Sequence, residues 1–195
     1  MRRRAVLALL LLSAALGACD RAPQARFQLT DLTGAPFGKA LALTGHDGKP
    51  RTLDDFRGKV VVIFFGFLHC PDVCPTTLAE LAQVAKALGP DAARLQVLFV
   101  TVDPERDTPE LLRHYVTSFH PDFLGLRGDG TATTQVAKEF KIFFHKQPQS
   151  GSGYTVDHSA GTYILDQQGR LRLFAHYGAG AGAFLNDIRL LLQGA

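Results

Sequence analysis

The chain has 195 residues, a length that suits one domain, and 46% of them are hydrophobic. It carries 21 basic and 18 acidic side chains, but Arg2, Arg3 and Arg4 all stand at the extreme N-terminus. Without those three arginines the charges balance, so the composition offers no basic stripe. It therefore argues against nucleic acid as a partner.

The N-terminus has the layout of a secretory signal. The basic run 2–4 is followed by an apolar stretch over residues 5–16 and by small residues directly before Cys19. This pattern predicts a signal peptide over residues 1–18, too short for a comfortable membrane span. The alternative is an uncleaved anchor helix, which the small residues before Cys19 argue against.

The folded domain is predicted to begin after a linker. Residues 19–36 mix Pro, Gln, Ala and Thr without sustained periodicity, which predicts a flexible tether behind Cys19. The domain predicted to follow, residues 37–195, opens with weak alternation over 39–44 and a turn at 46–49. This pattern indicates a β-hairpin.

A strand–helix–strand unit forms the predicted centre of the domain. The apolar run that starts at Val60 is rich in β-branched and aromatic residues, as in a strand buried on both faces. Pro75 suits a first helical position, and helical spacing continues to about Leu88. A second apolar run covers 95–102. One helix between two strands predicts parallel pairing with a right-handed crossover.

The rest of the chain predicts further strands and helices around that unit. Asp107 or Thr108 can cap a helix that ends before His120. A stretch rich in Gly and Ser, residues 147–153, predicts a mobile, exposed loop that leads straight to His158. The remaining predictions are a short strand at 123–126, a helix at 133–140, a hairpin of strands 161–165 and 170–176, and a final helix at 181–193.

Two cysteines lie at the junction between the central strand and its helix. Cys70 and Cys74 are separated by three residues, and a thiol near a helix N-terminus is favoured as thiolate. The thiolate is both a nucleophile and a ligand for soft metals, so thiol–disulfide exchange and metal binding are both open. A purely structural disulfide is disfavoured, because a loop over so few residues restricts the unfolded chain little.

A metal held by two thiolates needs a further ligand, and the chain has seven histidines. Spacing alone does not choose among them. His69 adjoins Cys70, but neighbouring side chains on a strand point to opposite faces. Cu(I) is the natural partner of a low-coordinate thiolate site, whereas zinc would also accept two cysteines and a histidine.

Three blocks of the sequence resemble the Sco/SenC family of copper-binding proteins. They are His69-Cys-Pro-Asp-Val-Cys-Pro75 after the apolar strand, Val102-Asp-Pro-Glu-Arg-Asp-Thr-Pro109, and Val156-Asp-His-Ser-Ala160. The resemblance implies a thioredoxin-like α/β fold with a central mixed sheet flanked by helices. It also implies one copper ion per chain, bound by Cys70, Cys74 and His158.

The same resemblance implies a role in maturing the dinuclear copper site of cytochrome c oxidase, as a copper chaperone, a thiol reductant or both. The expected partner is the copper-bearing oxidase subunit, with other copper chaperones or thiol reductases as further partners. A mobile loop before His158 would let its imidazole swing in and out of the site.

Two other functions use the same cysteines. A metal-independent periplasmic thiol–disulfide oxidoreductase would need only Cys70 and Cys74, although the C-x-x-x-C spacing differs from the C-x-x-C common in such reductases. A peroxidase would need an electropositive pocket, which the acidic Asp72 and a second thiol fit poorly. Asp72 itself is either a turn former or a carboxylate that assists metal entry and tunes the thiolates. The block 103–109 is either a charged loop with a helix cap or a surface that shapes the metal loop.

The residues before and after the end of the signal resemble a bacterial lipobox. Leu16-Gly-Ala-Cys19 implies cleavage before Cys19 and a lipid on its sulfur, which would tether the protein to a membrane. Asp20 resembles the signal that retains lipoproteins on the inner membrane. The expected location is thus the inner membrane, with the domain facing the periplasm, where the thiol pair is at risk of oxidation.

Overall fold

A computed structural model describes residues 26–149 and 153–195. The strands are β1 (Thr30–Asp31), β2 (Ala42–Gly45), β3 (Pro50–Thr52), β4 (Val60–Gly66), β5 (Leu95–Thr101), β6 (Leu124–Arg127), β7 (Phe144–Pro148), β8 (Tyr154–His158), β9 (Gly161–Leu165) and β10 (Leu171–His176). Eight of them form one mixed sheet in the order β1-β10-β9-β4-β5-β6-β2-β3, and β7 and β8 form a separate hairpin.

Within the described residues, four helices flank the sheet: α1 (Val73–Leu88), α2 (Pro109–Phe119), α3 (Gly130–Glu139) and α4 (Gly180–Leu192). Apolar residues of α1, α2 and α4 pack together on one face. Helix α3 packs on the other face, with the β2–β3 hairpin and the 3-10 turn Leu53–Phe56. The prediction of an α/β fold with a central mixed sheet and an N-terminal hairpin is confirmed.

Strand β4 lies in the middle of the sheet, and all seven of its residues are buried. Because side chains alternate along a strand, Val62 and Phe64 enter the core under α1, whereas Ile63 and Phe65 enter the core under α3. The strand pairs in parallel with β5, as the crossover predicts, and antiparallel with β9. At its carboxyl end, β4 leads into residues 67–72, the cysteine loop, which carries Cys70. This loop therefore lies at the edge of a fully buried core.

The predicted tether is wrong for the part that the structure describes. The backbone N–H groups of Gln28 and Leu29 donate to the buried Asp187 carboxylate of α4, at 3.0 and 2.8 Å. Strand β1 then pairs with β10. This anchoring joins groups about 160 positions apart in sequence, so no local pattern announces it.

Two helices begin earlier than predicted. Helix α1 starts at Val73 instead of Pro75 and therefore includes Cys74. Helix α3 starts at Gly130 because Asp129 caps it, accepting a hydrogen bond from Ala132 N at 2.7 Å. Thr108 caps α2 by accepting from Leu111 N, which decides between the two predicted caps.

The predicted mobile loop at 147–153 is partly strand. Gln147 and Pro148 belong to β7, and Tyr154 opens β8, so His158 ends a strand instead of lying on a loop. Residues 150–152 lie outside the described residues, as do the predicted signal peptide, Cys19 and Asp20. Among the helices that the structure describes, none combines the length and apolar character of a membrane span.

Candidate metal centre

The two cysteines lie where β4 leads into α1. Cys70 closes a turn by donating its N–H to Phe67 O at 3.2 Å, and Cys74 lies in the first turn of α1. Cys70 is partly exposed, whereas Cys74 is wholly buried. Both are free thiols in the part of the chain that the structure describes. One sulfur thus faces incoming molecules, and the other lies beneath it.

The Cys74 thiol, with the first amides of α1, holds Cys70 as a thiolate. The hydrogen bond from the Cys74 thiol lowers the pKa of Cys70 to about 5, and the backbone N–H groups of Cys74 and Asp72 support the same shift. Cys74 N lies 3.4 Å from Cys70 Sγ. The first amides of a helix have no partner within the helix, so they are available to this anion. The pKa of Cys74 is raised, because its thiol donates to Cys70 and because it is buried. The pair therefore holds one negative charge at neutral pH.

On the side of Gly66, no free space is left beside Cys74. A Cβ atom added to Gly66, the last residue of β4, would lie 2.7 Å from Cys74 Sγ and 2.8 Å from the Phe99 ring. Glycine at this strand end therefore permits the close approach of the sulfur. The Tyr115 hydroxyl is buried without a hydrogen-bond partner among the described residues. Burial and the nearby thiols raise its pKa.

Asp107 holds the cysteine loop by a hydrogen bond to its backbone. Its Oδ2 accepts hydrogen bonds from Thr101 Oγ1 at 2.5 Å and from Leu68 N at 3.2 Å. The side chain is fully buried, and Oδ1 has no partner within the described residues. Burial raises the pKa of this carboxyl. The sequence named Asp107 only as a possible helix cap and as part of the block 103–109, and its contact with Leu68 N favours the alternative in which this block shapes the metal loop. Gly66 and Tyr115 were not predicted as site residues. For Gly66 a signal existed, because a glycine within a strand indicates a close approach.

His158 lies near the thiols at the end of β8. Its ring meets the Phe67 ring edge to face at 5.8 Å between centroids, and Nδ1 lies 3.1 Å from Ser159 O. With Nδ1–H donated to that carbonyl, the Nε2 lone pair is left for a metal. His158 also contributes, as the smallest of the named causes, to the lowered pKa of Cys70.

The structure brings the two sulfurs together but not yet a complete set of ligands. Across residues 26–149 and 153–195, no three His, Cys, Asp or Glu side chains are grouped closely enough to hold a metal. The donors nevertheless fit a soft metal, because they supply an ionised sulfur, a second sulfur beside it and a neighbouring imidazole. His158 must approach the sulfurs to complete that set.

Asp72 and His69 lie outside the immediate sulfur site. The exposed Asp72 accepts hydrogen bonds at Oδ1 from Thr76 Oγ1 at 3.3 Å and from Tyr177 OH at 3.4 Å. Its backbone N–H serves Cys70. His69 is exposed and lies in the turn beyond β4, so the argument from alternating strand side chains does not apply to it.

Comparison with known proteins extends over nearly the whole described chain. The family model SCO1/SenC matches residues 25–193. The chain is 42% identical over 139 residues to the mitochondrial SCO2 homolog of Bos taurus, covering 70% of this chain and 51% of that protein. It thus spans about half the length of the curated relatives it matches first.

Solved structures show the same fold. Bradyrhizobium japonicum ScoI, solved with copper bound, is 37% identical with a TM-score of 0.74, covering 80% of this chain and 99% of the other. Apo Sco1 from Thermus thermophilus is 41% identical with a TM-score of 0.78, covering 87% and 99%. These matches confirm the thioredoxin-like fold expected from the sequence blocks. The chain belongs to the SCO1/SenC family.

Proposed function

We propose that the protein binds one copper ion through Cys70, Cys74 and His158 and serves the assembly of the dinuclear copper centre of cytochrome c oxidase. The observation that carries the proposal is the thiol pair at the start of α1, in which the pKa of Cys70 falls to about 5. A thiolate that exists at neutral pH is ready to accept a soft metal without first losing a proton. Copper is then cargo, to be passed to a copper-bearing oxidase subunit.

Copper in a related protein of the same fold supports this choice of metal over zinc. The ScoI protein of Bradyrhizobium japonicum carries copper at 37% identity to this chain. Two sulfurs and an imidazole are also the donors that Cu(I) accepts in a low-coordinate site. Asp72, exposed beside Cys70, would assist metal entry with its carboxylate and support the thiolate with its N–H.

The unequal pKa values of the two thiols favour a second candidate, reduction of a partner's disulfide. The Cys70 thiolate would attack one partner sulfur, breaking the S–S bond, and the leaving thiolate would take up a proton. Cys74 would then lose its proton and attack Cys70 Sγ, breaking the mixed disulfide; the departing partner sulfur takes up that proton, and the partner leaves as a dithiol. Two electrons pass to the partner, and Cys70 and Cys74 end as a disulfide.

The substitution His158→Ala separates the two functions. We expect copper affinity to fall by at least about 10–100-fold, since even changes around metal ligands cost that much. Thiol–disulfide exchange by Cys70 should stay close to wild type. The measurements are a competitive copper titration against a chelator, a thiol-exchange assay and oxidase activity in the same strain. His114→Ala, on the exposed surface of α2, is the matched control.

The oxidase measurement decides which function is physiological. Full copper affinity in His158→Ala would remove this residue from the ligand set. Loss of copper with normal oxidase activity would make copper incidental and leave disulfide reduction as the function. Loss of both, with intact thiol exchange, is the result that copper delivery requires.

We further propose that the mature protein is an inner-membrane lipoprotein, tethered through Cys19 with its domain in the periplasm. The support is the order of a basic run, an apolar stretch and small residues before Cys19. In that arrangement the tether would end before Gln28, because Gln28 and Leu29 are already bound to α4.

A further inference from the structure

The loop between β5 and α2 contacts both segments of the candidate metal centre, the one that carries Cys70 and the hairpin that carries His158. This bridging loop, residues 102–108, contains Asp103, whose carboxylate is completely buried. Asp103 Oδ1 accepts a hydrogen bond from Tyr154 OH at 2.7 Å, and Oδ2 pairs with the Arg106 guanidinium. A buried carboxylate costs free energy unless it is paired and hydrogen-bonded, and here both partners are present.

Arg106 holds the same tyrosine in two further ways. Its Nη1 donates to Tyr154 O at 2.8 Å, and the guanidinium carbon lies 3.7 Å from the centroid of the Tyr154 ring. Planar guanidinium groups suit such combined hydrogen bonding and stacking, which a lysine would not reproduce. Tyr154 is therefore fixed at its hydroxyl, its ring and its carbonyl.

Tyr154 is the first residue of β8, and His158 is the last. The hairpin of β7 and β8 forms a sheet of its own, apart from the eight-stranded sheet. Its placement against the domain therefore depends on contacts such as those made by Tyr154. A second contact, Lys146 Nζ to Glu105 Oε2 at 2.6 Å, joins β7 to the bridging loop but is largely exposed, and exposed ion pairs contribute little.

The other end of the bridging loop reaches the cysteine loop. Asp107 Oδ2 accepts from Leu68 N, two residues before Cys70. One short loop thus holds the segment that carries the sulfurs and the hairpin that carries the imidazole. We propose that Asp103, Arg106 and Tyr154 form a clamp that positions His158 relative to Cys70 and Cys74 and so sets copper affinity. This inference rests on the proposed copper function, and it makes these three residues positioning residues, not ligands.

The substitution Tyr154→Phe tests the clamp gently, because it removes only the hydroxyl and keeps the ring over Arg106. We expect the copper affinity of the detergent-solubilised full chain to fall about 3- to 30-fold, because the variant loses part of the free energy that one hydrogen bond to a charged group supplies. The reactivity of Cys70 should not change. Tyr163→Phe is the matched control, since its hydroxyl donates to Phe140 O at 2.7 Å within the core under α3, and not to Asp103.

A double-mutant cycle with His158→Ala shows whether the clamp acts through the imidazole. In that background Tyr154→Phe should change copper affinity by less than about 2-fold, because the group it positions is gone. An equal loss in both backgrounds would overturn the proposal, as would no loss in the wild-type background. X-ray absorption at the copper edge, which detects Cu(I), supplies a second signature: the nitrogen scattering present in the wild type should weaken in Tyr154→Phe and not in Tyr163→Phe.

Amide hydrogen exchange tests the clamp without copper. Backbone amides of β8 should exchange faster in Tyr154→Phe than in wild type, while those of β4 should not change. Unchanged exchange in β8 would refute the clamp whatever the copper result. If the wild type binds no copper but β8 loosens as expected, the proposed copper function fails and the clamp stands only as an anchor of the hairpin.

Discussion

Adding one methyl group at Gly66 should disturb the metal centre from beneath. In Gly66→Ala the new Cβ would lie 2.7 Å from Cys74 Sγ and 2.8 Å from Phe99 Cε2. Favourable contact between such atoms begins at about 3.5–4.0 Å, so the overlap is about 1 Å on two sides. Neither neighbour has room to retreat, because Cys74 and Phe99 are both buried.

The cost follows from two opposing effects. Overpacking a core costs about 1–3 kcal/mol, and the reduced freedom of the unfolded chain returns about 0.4–1 kcal/mol. We expect a net loss of about 1–2 kcal/mol, which lowers the Tm by about 2–8 °C for a chain of this size. Displacing Cys74 Sγ also weakens its hydrogen bond to Cys70, so the pKa of Cys70 should rise above its value of about 5.

The assay pairs a thermal melt with a pH titration of thiolate absorbance and a copper competition. Gly128→Ala is the control, since its added Cβ would lie 2.7 Å from Ala132 Cβ and 2.9 Å from Leu43 Cδ2, away from the thiols. Both variants should lose stability, but only Gly66→Ala should alter the pKa of Cys70 and weaken copper. If the two variants differ from wild type in stability alone, the close approach of Gly66 does not position Cys74.

Three further outcomes are expected. Alkylation of Cys70 should be fast at neutral pH and should become slower as pH falls through about 5, because protonation removes the nucleophile. The substitution Cys74→Ala should move this transition to higher pH, since it deletes the hydrogen bond that is the largest cause of the lowered pKa of Cys70. Copper should bind the reduced protein at neutral pH with release of about one thiol proton, that of Cys74, as calorimetry in buffers of different ionisation enthalpy would reveal. Copper should not bind the Cys70–Cys74 disulfide, which metal analysis of the oxidised protein would test. Cys19→Ser should abolish lipid labelling and leave either released domain or uncleaved precursor; labelled protein from this variant would contradict the proposed anchor.

The central part of the fold could be predicted because its signals are local. The apolar run of β4, the helical spacing of α1 and the cysteines between them lie within one short segment. The pKa of Cys70 is lowered first by the Cys74 thiol and then by the first amides of α1, so the chemistry of Cys70 also follows from neighbouring residues. Parallel pairing of β4 with β5 follows from the single crossover helix.

The residues that support the site could not be predicted in this way, because their partners are distant in sequence. Tyr154 OH meets Asp103 across 51 positions, and Leu68 N meets Asp107 across 39. In the sequence, Asp103 and Asp107 look like the acids of an exposed turn. Asp103 is buried by the β7–β8 hairpin, and Asp107 is buried by the cysteine loop. Both segments lie far from residues 103–109 in sequence, so the residues of this block alone do not predict the burial.

His158 shows how such a distant constraint changes the expected chemistry. Gly and Ser before it predicted a mobile loop from which the imidazole could swing freely. In the structure His158 ends β8 and is paired in register with Phe144 of β7, while Ser159 exchanges hydrogen bonds with Phe143 at 2.9 and 3.1 Å. A movement of the imidazole toward the sulfurs must therefore carry the hairpin with it or break this end of the ladder. Both routes cost more than turning a loop side chain, so in the proposed copper site the contacts that place the hairpin would also decide how readily copper is gained and released.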